Sequence, residues 1–405
     1  MGNILIKNFI ILNIINVAIK LIKCFNKSSS EDISICMVGD LLIYLPILNY
    51  AKTEGYNFDF IFENMEKYIK EYDIKIINEE VLIAGTNFSI KGYPKFNSPL
   101  ELADSVAKAG FNVILKSTNH VNDLGEEARL FDLNNWKKFP NIKVTGSYQN
   151  EEESQKITYF EIKGIKIALL NYCYGSNILL RNSYTINKIN YDKIKNDINK
   201  SKSEGADIII VMPHWGKEYS LKTNKYQNKW SKIFFELGVD IVIGTHPHVI
   251  QPVEIIEDKD KNRKMYIFYS LGNFINLLSS PEIIHTPRYV TTLSGGVGSV
   301  ILAQRVNSNS SRKKIVFWRF LGGMAHIIIG KVNNKPAIKN IKFIPLITHI
   351  IPENKKVATF KVKDYSENMA KNNYVGIEYD KTFTYDNMID VFKNIIDKDF
   401  LDFNL

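Results

Sequence analysis

The chain has 405 residues and a formal net charge of +9, with 45% hydrophobic and 23% charged residues. This balance is typical of a globular protein with a large core, and it excludes a disordered or fibrous chain. The positive charge comes mostly from dispersed lysines, without an arginine-rich stripe interleaved with aromatics, so no nucleic-acid partner is expected. A basic surface suits an anionic substrate or membrane. A general bias toward Lys, Asn and Ile is the simpler explanation of the charge.

The N-terminal segment, residues 1–32, is predicted to associate with a membrane. Residues 4–22 are strongly apolar, but Asn13, Asn16 and Lys20 interrupt them at helical spacing. This pattern favours an amphipathic helix lying on a membrane over a helix that spans it. We therefore expect an N-terminal anchor and a location at the cell membrane or outside the cytoplasm. A helix packed on a soluble, cytoplasmic protein is the alternative.

From residue 33 onward, short apolar runs alternate with segments of helical periodicity. This alternation predicts an α/β fold built of β-α units around a largely parallel sheet. Strands are predicted at 33–38, 74–77, 111–115, 143–146, 157–162, 166–171, 206–212, 239–243 and 265–270. Helices are predicted at 57–72, 100–109, 125–138, 191–203 and 226–237.

Beyond residue 294 the pattern changes. Strands at 299–306, 314–319 and 341–345 are predicted as antiparallel additions to the main sheet, and they complete a domain that spans residues 33–350. Residues 351–405 are predicted to form a polar C-terminal extension with one helix at 385–396.

Polar side chains that can bind metal follow five of the predicted strands. In open α/β sheets, ligands bind at the edge formed by the carboxyl ends of the strands, so these side chains are expected to converge there. The set consists of Asp40, Glu80, Asn119, His120, His214, His246 and His248.

The two imidazoles of His246 and His248 are the most informative members of this set. They follow Gly244 closely, and alternate residues of an extended segment point the same way, so both rings are expected to face one spot. Pro247 between them stiffens the turn. Such a pair alone is as often structural as metal-binding, but the oxygen ligands at neighbouring strand ends favour a metal.

The predicted metal ligands therefore mix carboxylate, amide and imidazole groups, which suits Mn, Fe or Zn better than Mg or Ca. Six ligands exceed one tetrahedral site, so two ions bridged by a carboxylate are the simplest arrangement. Paired metals clamp a phosphoryl group and lower the pKa of a bridging water. His120 is predicted as the general acid, oriented by Asp123. The ligands are Asp40, Glu80, Asn119, His214, His246 and His248.

Several short motifs in fixed order resemble the capsule biosynthesis protein CapA family, a branch of the calcineurin-like metallophosphoesterases. They include Val38-Gly39-Asp40, Asn78-Glu79-Glu80, Thr118-Asn119-His120, His214-Trp215-Gly216 and Gly244 to Gln251. The resemblance implies a four-layer α/β/β/α sandwich with a dimetal site at the strand ends. It also implies a link to poly-γ-glutamate capsule synthesis or export, often in membrane-anchored proteins outside the cytoplasm.

The chain departs from the superfamily pattern at one metal position. Typical members open with an Asp-x-His pair, whereas Asp40 is followed by Leu41 and Leu42. One or two divalent ions are therefore expected, with Tyr44 as a substitute ligand. Further along, Trp215 and Tyr219 are expected to line a substrate cleft, the alternative being that they pack beneath the loop.

Two functions fit these residues. The first is a metal-dependent hydrolase, a phosphoesterase associated with poly-γ-glutamate capsule or cell-envelope polymer biosynthesis. The second is a non-hydrolytic accessory or export subunit of a poly-γ-glutamate synthesis complex. The His120 and Asp123 pair favours the enzyme, because a pure binding site needs no general acid, while the missing histidine favours the accessory role. The expected partners are an anionic polymer or phosphoester and subunits of such a complex.

Overall fold

The computed structural model describes residues 31–277 and 317–405, together with two short paired strands at Pro287–Arg288 and Leu302–Ala303. The predicted N-terminal anchor lies outside the described residues, as does most of the predicted strand at 299–306. Within the described ranges, no helix has the length and apolar character needed to cross a membrane.

The strands are β1 (Ile33–Leu41), β2 (Ile74–Glu79), β3 (Val113–Leu115), β4 (Lys143–Thr145), β5 (Thr158–Ile162), β6 (Ile165–Cys173), β7 (Ile208–His214), β8 (Ile241–Ile243), β9 (Val253–Asp258), β10 (Arg263–Phe268), β11 (Asn273–Ile275), β12 (Pro287–Arg288), β13 (Leu302–Ala303), β14 (Leu321–Val332), β15 (Lys335–Ile350) and β16 (Val357–Lys361). The helices are α1 (Leu45–Thr53), α2 (Asp59–Phe62), α3 (Glu66–Ile69), α4 (Glu101–Ala109), α5 (Glu126–Trp136), α6 (Glu151–Ser154), α7 (Tyr191–Ser203), α8 (Lys225–Leu237), α9 (Glu367–Lys371) and α10 (Tyr385–Ile395). Short 3-10 turns at Ser183–Thr185 and Val362–Asp364 and a π-helical turn at Val375–Tyr379 complete the set.

The strands form two main sheets. The first has the order β16-β15-β14-β1-β2-β3-β4, and β11 also pairs with β1. Strands β1 to β4 are parallel, while β14 to β16 add to β1 in antiparallel fashion. The second sheet has the order β5-β6-β7-β8-β10-β9, with an antiparallel strand at each edge. The predicted parallel sheet is thus divided into two.

The alternating apolar residues of the second sheet explain the layering. In β6, Leu169 belongs to the large core that also contains residues of the first sheet, whereas Leu170 belongs to a second core with the helical residues Ile194 and Trp230. Successive residues of a strand point to opposite faces, so one face of this sheet packs toward the first sheet and the other toward α7 and α8. Helices α2 and α4 pack with the first sheet. The predicted α/β/β/α sandwich with added C-terminal strands is confirmed.

Some local predictions were wrong. The predicted helix at 57–72 is broken into α2 and α3, because the backbone between them forms a tight turn in which the N–H of Met65 donates to the carbonyl of Phe62. A strand was predicted at 314–319, of which residues 317–319 are described. They form a helical turn in which the N–H of Phe320 donates to the carbonyl of Phe317. The predicted strand at 341–345 is part of the much longer β15.

The C-terminal residues complete the first sheet. Strand β16 pairs with β15, and Met388 and Phe392 of α10 are buried in the large core. The N–H of Phe343 in β15 also donates to the carbonyl of Phe400 at 2.8 Å. The segment predicted as a polar extension therefore covers the added strands with its apolar face.

Candidate metal centre

All six predicted metal ligands meet where the carboxyl ends of β1 and β2 in the first sheet face those of β7 and β8 in the second. Asn119 Oδ1 lies 2.8 Å from His214 Nε2, and Asp40 Oδ2 lies 3.1 Å from His248 Nδ1. Both contacts join residues of different sheets. The six side chains are buried, with exposed fractions of 5% or less.

Strand β1 supplies Asp40, whose carboxylate is held on both oxygens. Its Oδ1 accepts a hydrogen bond from Asn78 Nδ2 at 2.8 Å, and its Oδ2 accepts one from the backbone N–H of His246 at 3.2 Å. Gly39 precedes Asp40 because a side chain there would overlap the carbonyl oxygen of Gly272, which accepts from the Asp40 N–H. The backbone of Asp40 is therefore held against Gly272, and its carboxylate is held by two hydrogen bonds.

Glu80 lies at the centre of the cluster. Its Oε1 is 3.5 Å from His214 Nε2 and 3.7 Å from His248 Nε2. Two sets of side chains have ligand atoms within 4.8 Å of one another, namely Asp40, Glu80 and His214, and Glu80, His246 and His248. Because Glu80 belongs to both sets, it is placed as a bridging carboxylate would be.

The two imidazoles converge for a different reason from the one predicted. His246 and His248 do not alternate along an extended strand; they lie in a turn with positive φ angles of 97° and 58°. Histidine is among the few residues that occupy this region with some frequency. The turn still places the two ring centroids 5.8 Å apart, and it directs the His246 backbone toward Asp40.

Unpartnered atoms in the cluster fit a bound cation. Both carboxylate oxygens of Glu80 and the Nδ1 atom of His246 are buried without a hydrogen-bond partner among the described residues. Leaving buried polar atoms unpaired is costly, and a divalent ion would satisfy all three. The position of the missing histidine is apolar, since Leu42 is buried in the core. The residues present therefore fit a metal ion held chiefly by the two sets that share Glu80.

The charges in the cluster shift its pKa values in opposite directions. Burial lowers the pKa of His248, but the carboxylates of Glu80 and Asp40 outweigh burial and raise it to about 9. Burial and the neighbouring rings of His214 and His248 hold the pKa of His246 well below its usual range. Burial raises the pKa of Glu80, but His248 and His214 outweigh it, and the net shift is downward. An ionised Glu80 and a neutral His246 are the forms that bind metal.

His120 and Asp123, the predicted acid and its orienting carboxylate, contact each other beside the cluster. His120 Nδ1 is 2.7 Å from Asp123 Oδ2, which also accepts a hydrogen bond from the backbone N–H of Phe96. Burial lowers the pKa of His120, but the hydrogen bond and charge of Asp123 outweigh it and raise the pKa. Asn177 Nδ2 is 3.4 Å from the other ring nitrogen of His120, Nε2.

The aromatic residues near the site differ from the predictions. The Tyr44 hydroxyl accepts a hydrogen bond from Arg319 at 2.8 Å, which is a different role from the predicted metal ligand. Trp215 does not line a cleft; it is fully buried and stacks on Tyr269 in the second core. Tyr219 does lie at the site, with its ring 6.0 Å from that of His248.

Two site residues were missed by the sequence reasoning. Asn78 bonds Asp40 and lies 3.4 Å from His214 Nδ1, and the alternation of a longer second strand would have placed it on the same face as Glu80. Glu79 points away from the cluster and pairs with the buried Lys116. Arg319 had no local signal, because it belongs to none of the predicted motifs and comes near His248 only through tertiary packing.

This layered α/β protein with a metal-ligand cluster at its strand ends matches the family described as "Bacterial capsule synthesis protein PGA_cap" over residues 34–277. The chain belongs to this family, as the motifs predicted.

It is similar to the capsule biosynthesis protein CapA of Bacillus anthracis, at 27% identity over 260 residues, which cover 61% of this chain and 60% of that protein. It is likewise 27% identical over 260 residues to the PGA biosynthesis protein CapA of Bacillus subtilis strain 168, covering 62% of this chain and 65% of the relative. The match thus spans less than two thirds of either relative. Among solved structures, the calcineurin-like phosphoesterase YfkN of Bacillus subtilis is similar at 12% identity and a TM-score of 0.40, covering 89% of this chain and 99% of that one.

Proposed function

We propose that the protein is a metal-dependent hydrolase, a phosphoesterase that acts in the biosynthesis of a capsule or cell-envelope polymer. The observation that carries the proposal is the buried His120 and Asp123 pair beside the Glu80 cluster. A site that only binds metal or polymer has no need of a histidine held in one orientation by a carboxylate. The family description and the name of the relative from Bacillus anthracis support the link to a capsule.

The metal would be held by Glu80 with His246 and His248, and by Glu80 with Asp40 and His214. Bound there, one or two divalent ions of the Mn, Fe or Zn type would supply Lewis-acid stabilisation of charge on a phosphoryl oxygen and a more acidic water.

The protein's own contribution to the reaction is proton transfer and orientation. Asp123 accepts the Nδ1 proton of His120, which leaves Nε2 as the atom that exchanges a proton with the substrate. Asp123 raises the pKa of His120, which favours the protonated ring that can give a proton to a leaving oxygen. Burial of the ring limits its exchange with bulk water.

The test combines metal analysis with hydrolysis of p-nitrophenyl phosphate and bis-p-nitrophenyl phosphate. In the His120→Asn variant we expect kcat to fall by about 10²–10⁴-fold with metal content unchanged, the usual range for loss of a general acid. The His246→Ala variant should lose metal. His326→Gln is the matched control, because His326 lies in β14, bonds the Tyr72 hydroxyl and is not part of the cluster. A parent protein without metal, or His246→Ala with parent activity, would sink the proposal.

A non-hydrolytic accessory subunit of a poly-γ-glutamate synthesis complex is the second candidate. The apolar Leu42 at the place of a metal-binding histidine favours it. Poly-γ-glutamate is therefore the third substrate in the assay, beside the two phosphate esters, since its cleavage would make the enzyme an amidase. If metal is bound, neither esters nor polymer are cleaved, and the polymer binds, the accessory role replaces the hydrolase.

We further propose that the protein works at the cell membrane or outside the cytoplasm, where its N-terminal segment anchors it. Its partners there would be subunits of a polymer synthesis complex. Fractionation of cells that express the full chain and a variant lacking residues 1–30 tests this. Equal distribution of the two proteins between membrane and soluble fractions would contradict the anchor.

A further inference from the structure

Arg319 is a buried arginine that is fixed to the metal-ligand cluster through its backbone. Only 3% of the residue is exposed, and it lies just before β14. Its carbonyl oxygen accepts a hydrogen bond from Asn273 Nδ2 at 3.0 Å, and the Oδ1 atom of the same asparagine lies 3.1 Å from His248 Nδ1. Asn273 therefore links the backbone of Arg319 to His248, a predicted metal ligand.

The guanidinium of Arg319 lies against two aromatic rings, and the charge of Glu218 also acts on it. Its Nη2 donates to the Tyr44 hydroxyl, and its Cζ lies 5.0 Å from the centre of the Tyr219 ring and 5.8 Å from that of Tyr44. Its Nε is buried without a hydrogen-bond partner. Within residues 31–277 and 317–405, no Asp or Glu lies within ion-pair distance of Arg319, and Tyr44 is the one hydrogen-bond partner of its guanidinium. A buried charge bonded in this way is costly for the fold.

A structural arginine of the same chain is bonded quite differently. Arg129 is also fully buried, but its guanidinium pairs with the carboxylate of Glu126 and donates to Ser147 Oγ and to the carbonyl of Tyr148. That set of acceptors satisfies a planar group with five donors. Among the described residues, by contrast, no acceptor takes the Nε donor of Arg319, and such a free donor can bind an external oxyanion.

The aromatic neighbours of Arg319 connect it to both parts of the proposed site. The Tyr219 ring lies 6.0 Å from the His248 ring, and the Tyr44 ring lies 5.4 Å from the Phe96 ring. Phe96 in turn packs edge-on against His120, with ring centroids 4.8 Å apart. Arg319 is thus separated from the metal-ligand cluster by one ring and from the proposed acid by two.

We propose that Arg319, held by Tyr44 and Tyr219, is a substrate-binding residue that takes a phosphoryl or carboxylate oxyanion beside the metal-ligand cluster. The proposal deepens the proposed function, because the substrate would occupy the same site. Arginine suits this role because its planar donors match the two oxygens of a carboxylate or phosphoryl group. Before an anion binds, cation–π contacts with the Tyr44 and Tyr219 rings stabilise the Arg319 guanidinium.

Calorimetric titration of the full chain, with and without Mn²⁺, tests the proposal with inorganic phosphate and with a γ-linked glutamate dipeptide as separate probes. We expect Arg319→Met to weaken binding of at least one probe by about a hundredfold, since a charged hydrogen-bonded partner is lost. Arg319→Lys should weaken it by about tenfold, because the point charge remains and the planar donors do not. The probe that is affected identifies the phosphoryl or the carboxylate class.

Because Arg319 has no ion-pair partner among the described residues, Arg319→Met should keep the metal content of the parent and a melting temperature at or above that of the parent. A purely structural arginine would give a different result, namely a lower melting temperature with parent affinity for both probes. Arg263→Lys is the control, because Arg263 donates to carbonyls at the far side of the second sheet. If Arg319→Met fails to fold, Arg319→Lys decides the question by its affinity.

The outcomes separate this proposal from the proposed function. A parent protein that binds neither probe, or Arg319 variants that bind both with parent affinity and turn over esters with parent KM, would overturn the oxyanion role while the hydrolase stands. Weakened anion binding in a protein that holds no metal and cleaves no ester would leave the oxyanion role intact and remove the hydrolase.

Discussion

Replacement of Glu80 by glutamine tests the bridging role of this carboxylate. Both oxygens of Glu80 are buried without hydrogen-bond partners, and both metal-compatible sets of side chains include it. The Glu80→Gln variant keeps the shape of the side chain and removes its charge. We expect it to bind divalent metal at least about a hundredfold more weakly, because one substitution removes a ligand from both sets.

The consequence for stability follows from linkage. A ligand present at 100 times its Kd stabilises the folded state by about 2.7 kcal/mol, and at its Kd by only about 0.4 kcal/mol. With an unfolding entropy of about 2.1 cal/mol/K per residue, a 405-residue chain changes its melting temperature by about 1 °C per kcal/mol. Mn²⁺ should therefore raise the melting temperature of the chelated parent by about 3 °C and that of Glu80→Gln by less than about 1 °C.

The adjacent glutamate provides the control. Glu79 is equally buried, but it faces away from the cluster and bonds Lys116 at 2.6 Å. The Glu79→Gln variant should unfold at a lower temperature than the parent and yet keep the full Mn²⁺-dependent rise. Scanning calorimetry of the three proteins, each with and without Mn²⁺, measures both effects. The reasoning is refuted if Glu80→Gln keeps the full rise or if Glu79→Gln loses it.

Three further predictions concern separate parts of the molecule. Lys116→Met should lower the free energy of unfolding in urea by about 3–5 kcal/mol, because it leaves two buried carboxylates without their cation; a change below about 1 kcal/mol would contradict this. Burial lowers the pKa of His349 to about 4, so the unfolded state binds its proton first and the fold loses stability as the pH falls from about 6.5 to 4. His349→Gln should lose less stability than the parent over that pH range in urea titrations, and equal slopes would count against it. Asp123→Asn removes the group that raises the pKa of His120, so the decline of kcat with rising pH should begin at lower pH, and an unmoved profile would exclude Asp123 from this role.

The strand-end residues could be predicted because they depend on local sequence. An apolar run identifies a buried strand, and the parallel arrangement then carries Asp40, Glu80, Asn119 and His214 to one edge. The division into two sheets could not be read in this way, since each strand has the same pattern whichever sheet it joins. The first sheet and the second contribute to the same site because their carboxyl edges face each other.

The residues that were missed depend on details beyond a local pattern. Asn78 was overlooked because the second strand was predicted to end at Ile77, whereas it continues to Glu79 and its alternation places Asn78 with Glu80. The convergence of His246 and His248 was expected from an extended segment but is produced by two left-handed residues. Arg319 contacts Tyr44 across 275 residues of chain, a pairing set only by the antiparallel addition of β14 to β1.

The origin of the cluster in two sheets has a consequence for folding. Asp40 and Glu80 come from the first sheet, and His214, His246 and His248 come from the second, so neither sheet alone can present a complete set of ligand atoms. A chain in which only one sheet has formed has at most a fragment of the site. Binding of an ion there is consequently a signature of the fully assembled molecule, and it cannot guide the early steps of folding.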